Sequence, residues 1–337
     1  MLRVPPPGQL VDAGGFKLHV KCDGVGAPTV ILDAALGGSS ISWAWVQPEI
    51  ARTNRTCSYD RAGYGWSEAG PFPRTAGRMA TELHTLLERA GVRPPLVLVG
   101  HSFGGLIMRI YAARYRADVA GMVLVDPAHP EDWVTPAPKE QIKIDRGVRL
   151  CRYGAGAAKI GIARLVAALG SAGIFGAARL IVRIISRGNL RREDEGILAP
   201  VWKLPPEARV PLQQFWTDRK FFESLGSHIE SICVSARETL DAAAEGYGDL
   251  PLVTISSTDP GEYRINQQDA LARLSTRGRH IVATQSGHWI PLDEPATVIA
   301  AIRDVLAQVD NAALGSDPVR GQNLLLTDSA HLRTRSE

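Results

Sequence analysis

Leu96-Val-Leu-Val-Gly-His-Ser-Phe-Gly-Gly105 is the stretch whose reading decides the fold. Its aliphatic opening has the pattern of a buried parallel strand. The run stops at Gly100, and Ser102 follows between Gly100 and Gly104. Leu106 to Tyr115 then reads as a helix with few breakers. Strand, one-residue corner and helix form the setting in which G-x-S-x-G presents a nucleophilic serine. Such a corner strains the backbone at the serine and is tolerable only if its neighbours have almost no side chain. The N–H groups at the helix start then face any negative charge that develops beside the hydroxyl.

Upstream, residues 1–9 read as a flexible lead, and Phe16 to Cys22 alternates apolar and polar residues as a half-buried strand does. Thr29 to Asp33 reads as a buried strand and leads into the glycine-rich loop Ala34-Ala-Leu-Gly-Gly-Ser-Ser40. Arg55 to Asp60 is a further strand. A helix is predicted from about Thr75 to Ala90, with Met79, Leu83, Leu86 and Leu87 on one face. Downstream, Gly121 to Asp126 is the next strand. This alternation of strand and helix argues for a parallel sheet covered on both faces.

The alternation then breaks. From Pro127 to about Asp249 helical stretches dominate, which predicts a helical cap inserted over the strand ends. Between Arg164 and Arg179 lie 14 uncharged residues, fewer than the ~20 a spanning helix needs. Lid packing is the favoured reading of that stretch, and membrane contact by the cap is not favoured. Phe215 to Phe222 is aromatic enough to line an apolar pocket, although such stripes more often serve packing. The sheet resumes at Leu250 to Ser256 and His280 to Thr284, with a helix from Asn266 to Leu274 between them. Asp293 is the predicted N-cap of a last helix ending near Val309. The resulting division is a core over 8–127 and 250–309, a cap over 128–249 and a mobile tail over 310–337.

The 337 residues are 45% hydrophobic and 22% charged, ordinary for a soluble globular chain. A net charge of +3 gives no nucleic-acid footprint. Cys22, Cys57, Cys151 and Cys233 are scattered without metal-ligand spacing. They are expected to be free thiols in a reducing, cytoplasmic setting. No metal is implied, the early Pro5-Pro-Pro-Gly8 argues against a signal peptide, and no feature sets an oligomeric state.

A serine hydroxyl needs a base to take its proton as it attacks. His288, in Ser286-Gly-His-Trp-Ile-Pro291, follows the last strand, where this architecture delivers its base. His101 adjoins the serine but is directed elsewhere around the corner. For the acid two strand tips compete. Asp259 follows the penultimate strand and is preferred, while Asp126 closes the strand after the corner helix. Oxyanion donors are expected from the N–H groups of Phe103 and Leu36, the latter in the loop after Asp33.

Leu32 to Ser40, Tyr59-Asp-Arg-Ala-Gly-Tyr-Gly-Trp-Ser67, Val99 to Gly105, Val123-Leu-Val-Asp-Pro127 and Ser286-Gly-His288 together resemble the α/β-hydrolase fold family. The similarity is greatest to bacterial esterase-like members with a helical lid. It covers roughly 8–130 and 250–308. The resemblance implies a mainly parallel eight-stranded sheet, a Ser-His-acid triad and no cofactor. It also implies acyl transfer to water from a small-molecule ester with an apolar part. Amide or peptide cleavage like that of proline iminopeptidases, carbon–carbon bond hydrolysis and a non-catalytic ligand receptor are the alternatives. The family's usual His-Gly in the oxyanion loop is Ala34-Ala35 here, and the Asp60-Arg61 pair is expected to tie the loop beneath the site.

Overall fold

Residues 4–171, 175–186, 201–258 and 261–315 are described in the computed structural model. Eight strands form one sheet: β1 (Gln9–Asp12), β2 (Lys17–Asp23), β3 (Thr29–Asp33), β4 (Thr56–Tyr59), β5 (Leu96–His101), β6 (Val119–Val125), β7 (Leu252–Ser257) and β8 (Gly278–Ala283). Their order is β1-β2-β4-β3-β5-β6-β7-β8. The pairs β1–β2 and β2–β4 are antiparallel, and all later pairs are parallel.

Unbroken aliphatic runs make sense in strands covered twice. Successive side chains of a strand point to opposite faces. In β5, Leu96 and Leu98 enter one core with Met79, Leu83 and Leu86 from the helix Ala76–Arg89. Val97 and Val99 enter the other core, with Val298, Ile302 and Val305 from the last helix Pro295–Gly315. A register slip of one residue would merely exchange two apolar sets, so the glycine corner and the helices on each face fix the placement of β5. The helix Ala76–Arg89 starts where expected, with Thr75 as N-cap accepting the Arg78 N–H at 3.3 Å.

Between β6 and β7 the regular elements that are described are helices, apart from an isolated bridge between Gly248 and Ser275. The longer helices are Pro138–Lys159, Ile162–Ser171, Phe175–Ile185, Pro206–Phe215, Arg219–Glu230 and Ile232–Ala242. The uncharged stretch after Arg164 is thus split between two helices. Among the described residues no helix is long and apolar enough to cross a membrane. The aromatic stretch packs inward: the Phe215 ring meets Trp66 edge-on at 4.8 Å, and Phe221 lies 5.5 Å from Tyr64.

Four expectations change. Cys22 and Cys57 form a disulfide, leaving Cys151 and Cys233 free. The reason is register: the Asp60 N–H just after β4 donates to the His19 carbonyl of β2, which places Cys22 opposite Cys57 at a non-hydrogen-bonded position, where side chains come closest. Gln9 belongs to a strand, and Val4 in the lead before it is tied down, its carbonyl accepting from Trp66 Nε1 at 2.9 Å. Asp293 ends a four-residue helix, Ile290–Asp293, instead of capping the last one. That last helix continues to Gly315, past the expected stop near Val309; residues 316–337 lie outside the described ones.

Candidate active site

Ser102 is held at φ 54°, ψ −117°, between the end of β5 and the helix Phe103–Arg114. A Cβ at Gly100 would lie 2.7 Å from the backbone of Gly104, and one at Gly104 would lie 2.7 Å from the Asp33 carbonyl oxygen. Both glycines are therefore required by contact, and the second brings the corner against the loop after β3. The corner is locked by its own backbone: the Ser102 N–H donates to the Val125 carbonyl at 3.0 Å. The Ser102 carbonyl in turn accepts from Gly105 N–H at 2.9 Å and Ala128 N–H at 3.1 Å.

The loop after β8 brings His288 to this corner. Its Nε2 is 3.0 Å from Ser102 Oγ, and its Nδ1 is 2.6 Å from Asp126 Oδ2. Asp126 directly follows β6 and is 6% exposed, whereas the His288 side chain is 43% exposed. Burial alone would raise the Asp126 pKa. The hydrogen bond and charge interaction with His288, with help from the Ser257 N–H, hold it below the usual carboxylate range. Asp126 is thus the carboxylate at the imidazole; Asp259 lies outside the described residues.

His101 has a role that sequence reasoning missed. It is buried, and its Nε2 lies 2.7 Å from the His288 carbonyl oxygen, so it ties the base-bearing loop to β5. Burial, reinforced by the neighbouring His288, pushes its pKa down to about 3, so the ring is neutral and Nε2 donates. The only sequence signal is adjacency: a strand's last side chain points opposite to the corner residue, toward whatever loop covers that face.

Phe103, the first residue of the corner helix, has one of the N–H groups that no helical carbonyl can satisfy. Leu36 lies half-buried in the loop after β3. That loop is fastened from beneath by Arg61. Arg61 Nε and Nη2 reach Asp33 Oδ1 at 2.9 and 2.8 Å, Nη1 reaches the Ala35 carbonyl at 3.3 Å, and Nη2 also bonds the Ala34 carbonyl. From the other side the helix Arg219–Glu230 covers the loop. A Cβ at Gly37 would lie 3.8 Å from Leu225 and 3.9 Å from Phe221.

A second serine–histidine–aspartate chain exists. Ser256 Oγ lies 2.7 Å from His280 Nε2, and His280 Nδ1 lies 2.7 Å from Asp269 Oδ1. Ser256 is fully buried in β7, so no substrate can reach it. This chain fastens the helix Gly261–Ala272 to the sheet. Access separates the two constellations. Among the described residues no cluster of His, Cys, Asp and Glu could hold a metal ion.

The sequence model of the family described as alpha/beta hydrolase fold matches residues 28–146. The uncharacterized protein YqjL of Bacillus subtilis is 39% identical over 100 residues, 30% of this chain and 40% of that protein. The matched stretches span between 18% and 40% of the first curated relatives. Among solved structures, a thermophilic esterase from Thermogutta terrifontis superposes with a TM-score of 0.61 at 19% identity, covering 89% of this chain and 98% of that one. An enol-lactonase from Burkholderia xenovorans gives 0.57 at 19% identity, covering 89% and 100%. The sheet order and the strained serine after β5, which lies within the matched segment together with β3 to β6, agree with these likenesses: the chain has the α/β-hydrolase fold.

Proposed function

We propose that the chain is a serine hydrolase that cleaves a carboxylic ester with an apolar part through an acyl-enzyme. The observation that carries this reading is the relay from Ser102 Oγ through His288 to Asp126, at 3.0 and 2.6 Å. Ser102 Oγ attacks the substrate carbonyl carbon while His288 Nε2 takes the hydroxyl proton. Asp126 fixes the tautomer and stabilises the imidazolium that forms. The N–H groups of Leu36 and Phe103 receive the carbonyl oxygen as it becomes negative. Collapse of the tetrahedral species expels the alcohol, which takes the proton from His288. A water molecule, activated by the same imidazole, then releases the acid; the exposure of His288 supports solvent access for this step.

The helices between β6 and β7 serve in this reading as the lid that selects the substrate. The approach of Phe221 and Leu225 to Gly37 supports an apolar wall beside the reacting carbonyl. The test is hydrolysis of short and medium p-nitrophenyl esters, with labelling by a fluorophosphonate and mapping of the adduct. Turnover with the adduct on Ser102 supports the reading. A single slow turnover with tight retention of ligand would replace it with a receptor on the same scaffold.

A further inference from the structure

The peptide unit joining Ala35 to Leu36 carries both a clamped oxygen and a candidate catalytic hydrogen. A trans peptide group is planar, and its C=O and N–H point in opposite directions. Whatever holds the Ala35 carbonyl therefore aims the Leu36 N–H. Two donors hold it: the Gly38 N–H at 3.0 Å and Arg61 Nη1 at 3.3 Å. The neighbouring Ala34 carbonyl is held by Nη2 of the same guanidinium. The Ser102–Phe103 peptide is arranged in the same way. The Ser102 carbonyl accepts from Gly105 and Ala128, which turns the Phe103 N–H the other way.

The two clamps differ in one respect. Around Ser102 only backbone groups act, whereas at Ala35 a side chain does part of the work. Arg61 is 3% exposed and is anchored on Asp33, with Cζ 5.5 Å from the Phe103 ring. One planar fork thus touches the end of β3, two carbonyls of the following loop and the residue after the serine. Ala34-Ala35 has no side-chain donor of its own, so the loop depends on this external fork for its orientation.

We propose that Arg61 is a positioning residue for catalysis, which holds the Ala34 and Ala35 carbonyls so that the Leu36 N–H faces the developing oxyanion. This rests on the hydrolase reading above. Lysine cannot replace the fork, because an ammonium group is a compact charge without the planar spread of donors.

The experiment compares wild type, Arg61→Lys and Asp33→Asn with p-nitrophenyl butyrate and with butylboronic acid, whose tetrahedral adduct places an oxygen in the hole. Competent enzyme is counted by end-point labelling of Ser102. For Arg61→Lys, kcat is expected to fall about 10- to 100-fold, less than the loss of a whole oxyanion donor. KM is expected to stay within about twofold, and the boronic acid Ki to rise by the same factor as kcat falls. Asp33→Asn keeps both carbonyl contacts within reach of Arg61 and is expected to lose less kcat than Arg61→Lys. A lowered melting temperature with unchanged kcat per labelled site would overturn the proposal, as would equal losses in the two variants. Absence of Ser102-dependent hydrolysis in the wild type would instead remove the hydrolase reading on which the proposal rests.

Discussion

Ser102 and Asp126 share a backbone property and a place in the sheet. Their φ angles are 54° and 39°, and among the described residues they are the non-glycine positions with positive φ. Each directly follows its strand, and the register of β5 with β6 pairs His101 with Val125, so the two occupy adjacent strand ends. The two strained residues are also two members of the candidate triad. Strain of this kind persists only where the surrounding structure imposes it, as the backbone bonds of Ser102 to Val125 and of Asp126 to Ile255 do here.

Replacing the serine by glycine should release that strain. Ser102→Gly is expected to be more stable than Ser102→Ala by about 1 kcal/mol, while neither hydrolyses esters. Urea unfolding of the two variants checks this, and equal stability would remove the claim of stored strain.

Glycine substitutions should divide sharply by contact. Gly104→Ala would place a methyl group within 2.8 Å of the Asp33 and Ala34 carbonyl oxygens. It is expected to destabilise the fold and to lower kcat by pushing the loop away. Gly156→Ala lies in the helix Pro138–Lys159, where an added Cβ meets nothing within 4 Å. It is expected to stabilise by roughly 0.5–1 kcal/mol, with kinetics unchanged. Thermal melts and initial rates measured side by side decide the matter.

Acid should destabilise the protein through its buried histidines. Burial lowers the pKa of His101 to about 3, and it lowers that of His228 as well. Below about pH 6.5 the unfolded chain binds protons that these folded rings refuse. Stability is therefore fully present above that pH and falls as pH drops toward 3, with a slope of up to about 1.4 kcal/mol per pH unit for each ring. The lowered pKa of Asp126 adds a further loss only below the usual carboxylate range. His101→Gln is expected to flatten the slope by one proton's worth in urea melts between pH 7.5 and pH 4.5. An unchanged slope would contradict the neutral assignment.

The Cys22–Cys57 bridge should be detectable chemically. Thiol titration of the denatured chain is expected to find Cys151 and Cys233 alone, and all four cysteines only after reduction. Reduction, or Cys22→Ser with Cys57→Ser, is expected to lower stability by roughly 2–4 kcal/mol. Four free thiols without reductant would dispose of the bridge. Its presence removes the ground on which a reducing compartment was inferred from cysteine spacing.

Parts of the site were legible in the sequence because they depend on local spacing. The corner at Ser102 needs only its two glycines and a strand on one side with a helix on the other. The helix Ala76–Arg89 was given by the period of Met79, Leu83, Leu86 and Leu87 and by the Thr75 cap. His288 follows from chain order. The remainder depends on distances that spacing does not encode. Asp126 and Asp259 both read from the sequence as strand-tip carboxylates, and it is the placement of the loop after β8 that brings His288 Nδ1 to Asp126. The disulfide depends on the register of β2 against β4, strands separated in sequence by β3. A tie beneath the loop is expected from the Asp60-Arg61 motif, but that its fork closes on the Ala34 and Ala35 carbonyls depends on how the loop folds.

The most direct test of the central claim is kcat for p-nitrophenyl butyrate in wild type, Ser102→Ala, Asp126→Asn and Asp259→Asn. Ser102→Ala is expected to abolish turnover. Asp126→Asn is expected to lose about 10³- to 10⁴-fold, while Asp259→Asn stays near wild type. Collapse of Asp259→Asn with Asp126→Asn still active, or a wild type no faster than Ser102→Ala, would contradict the Ser102–His288–Asp126 assignment.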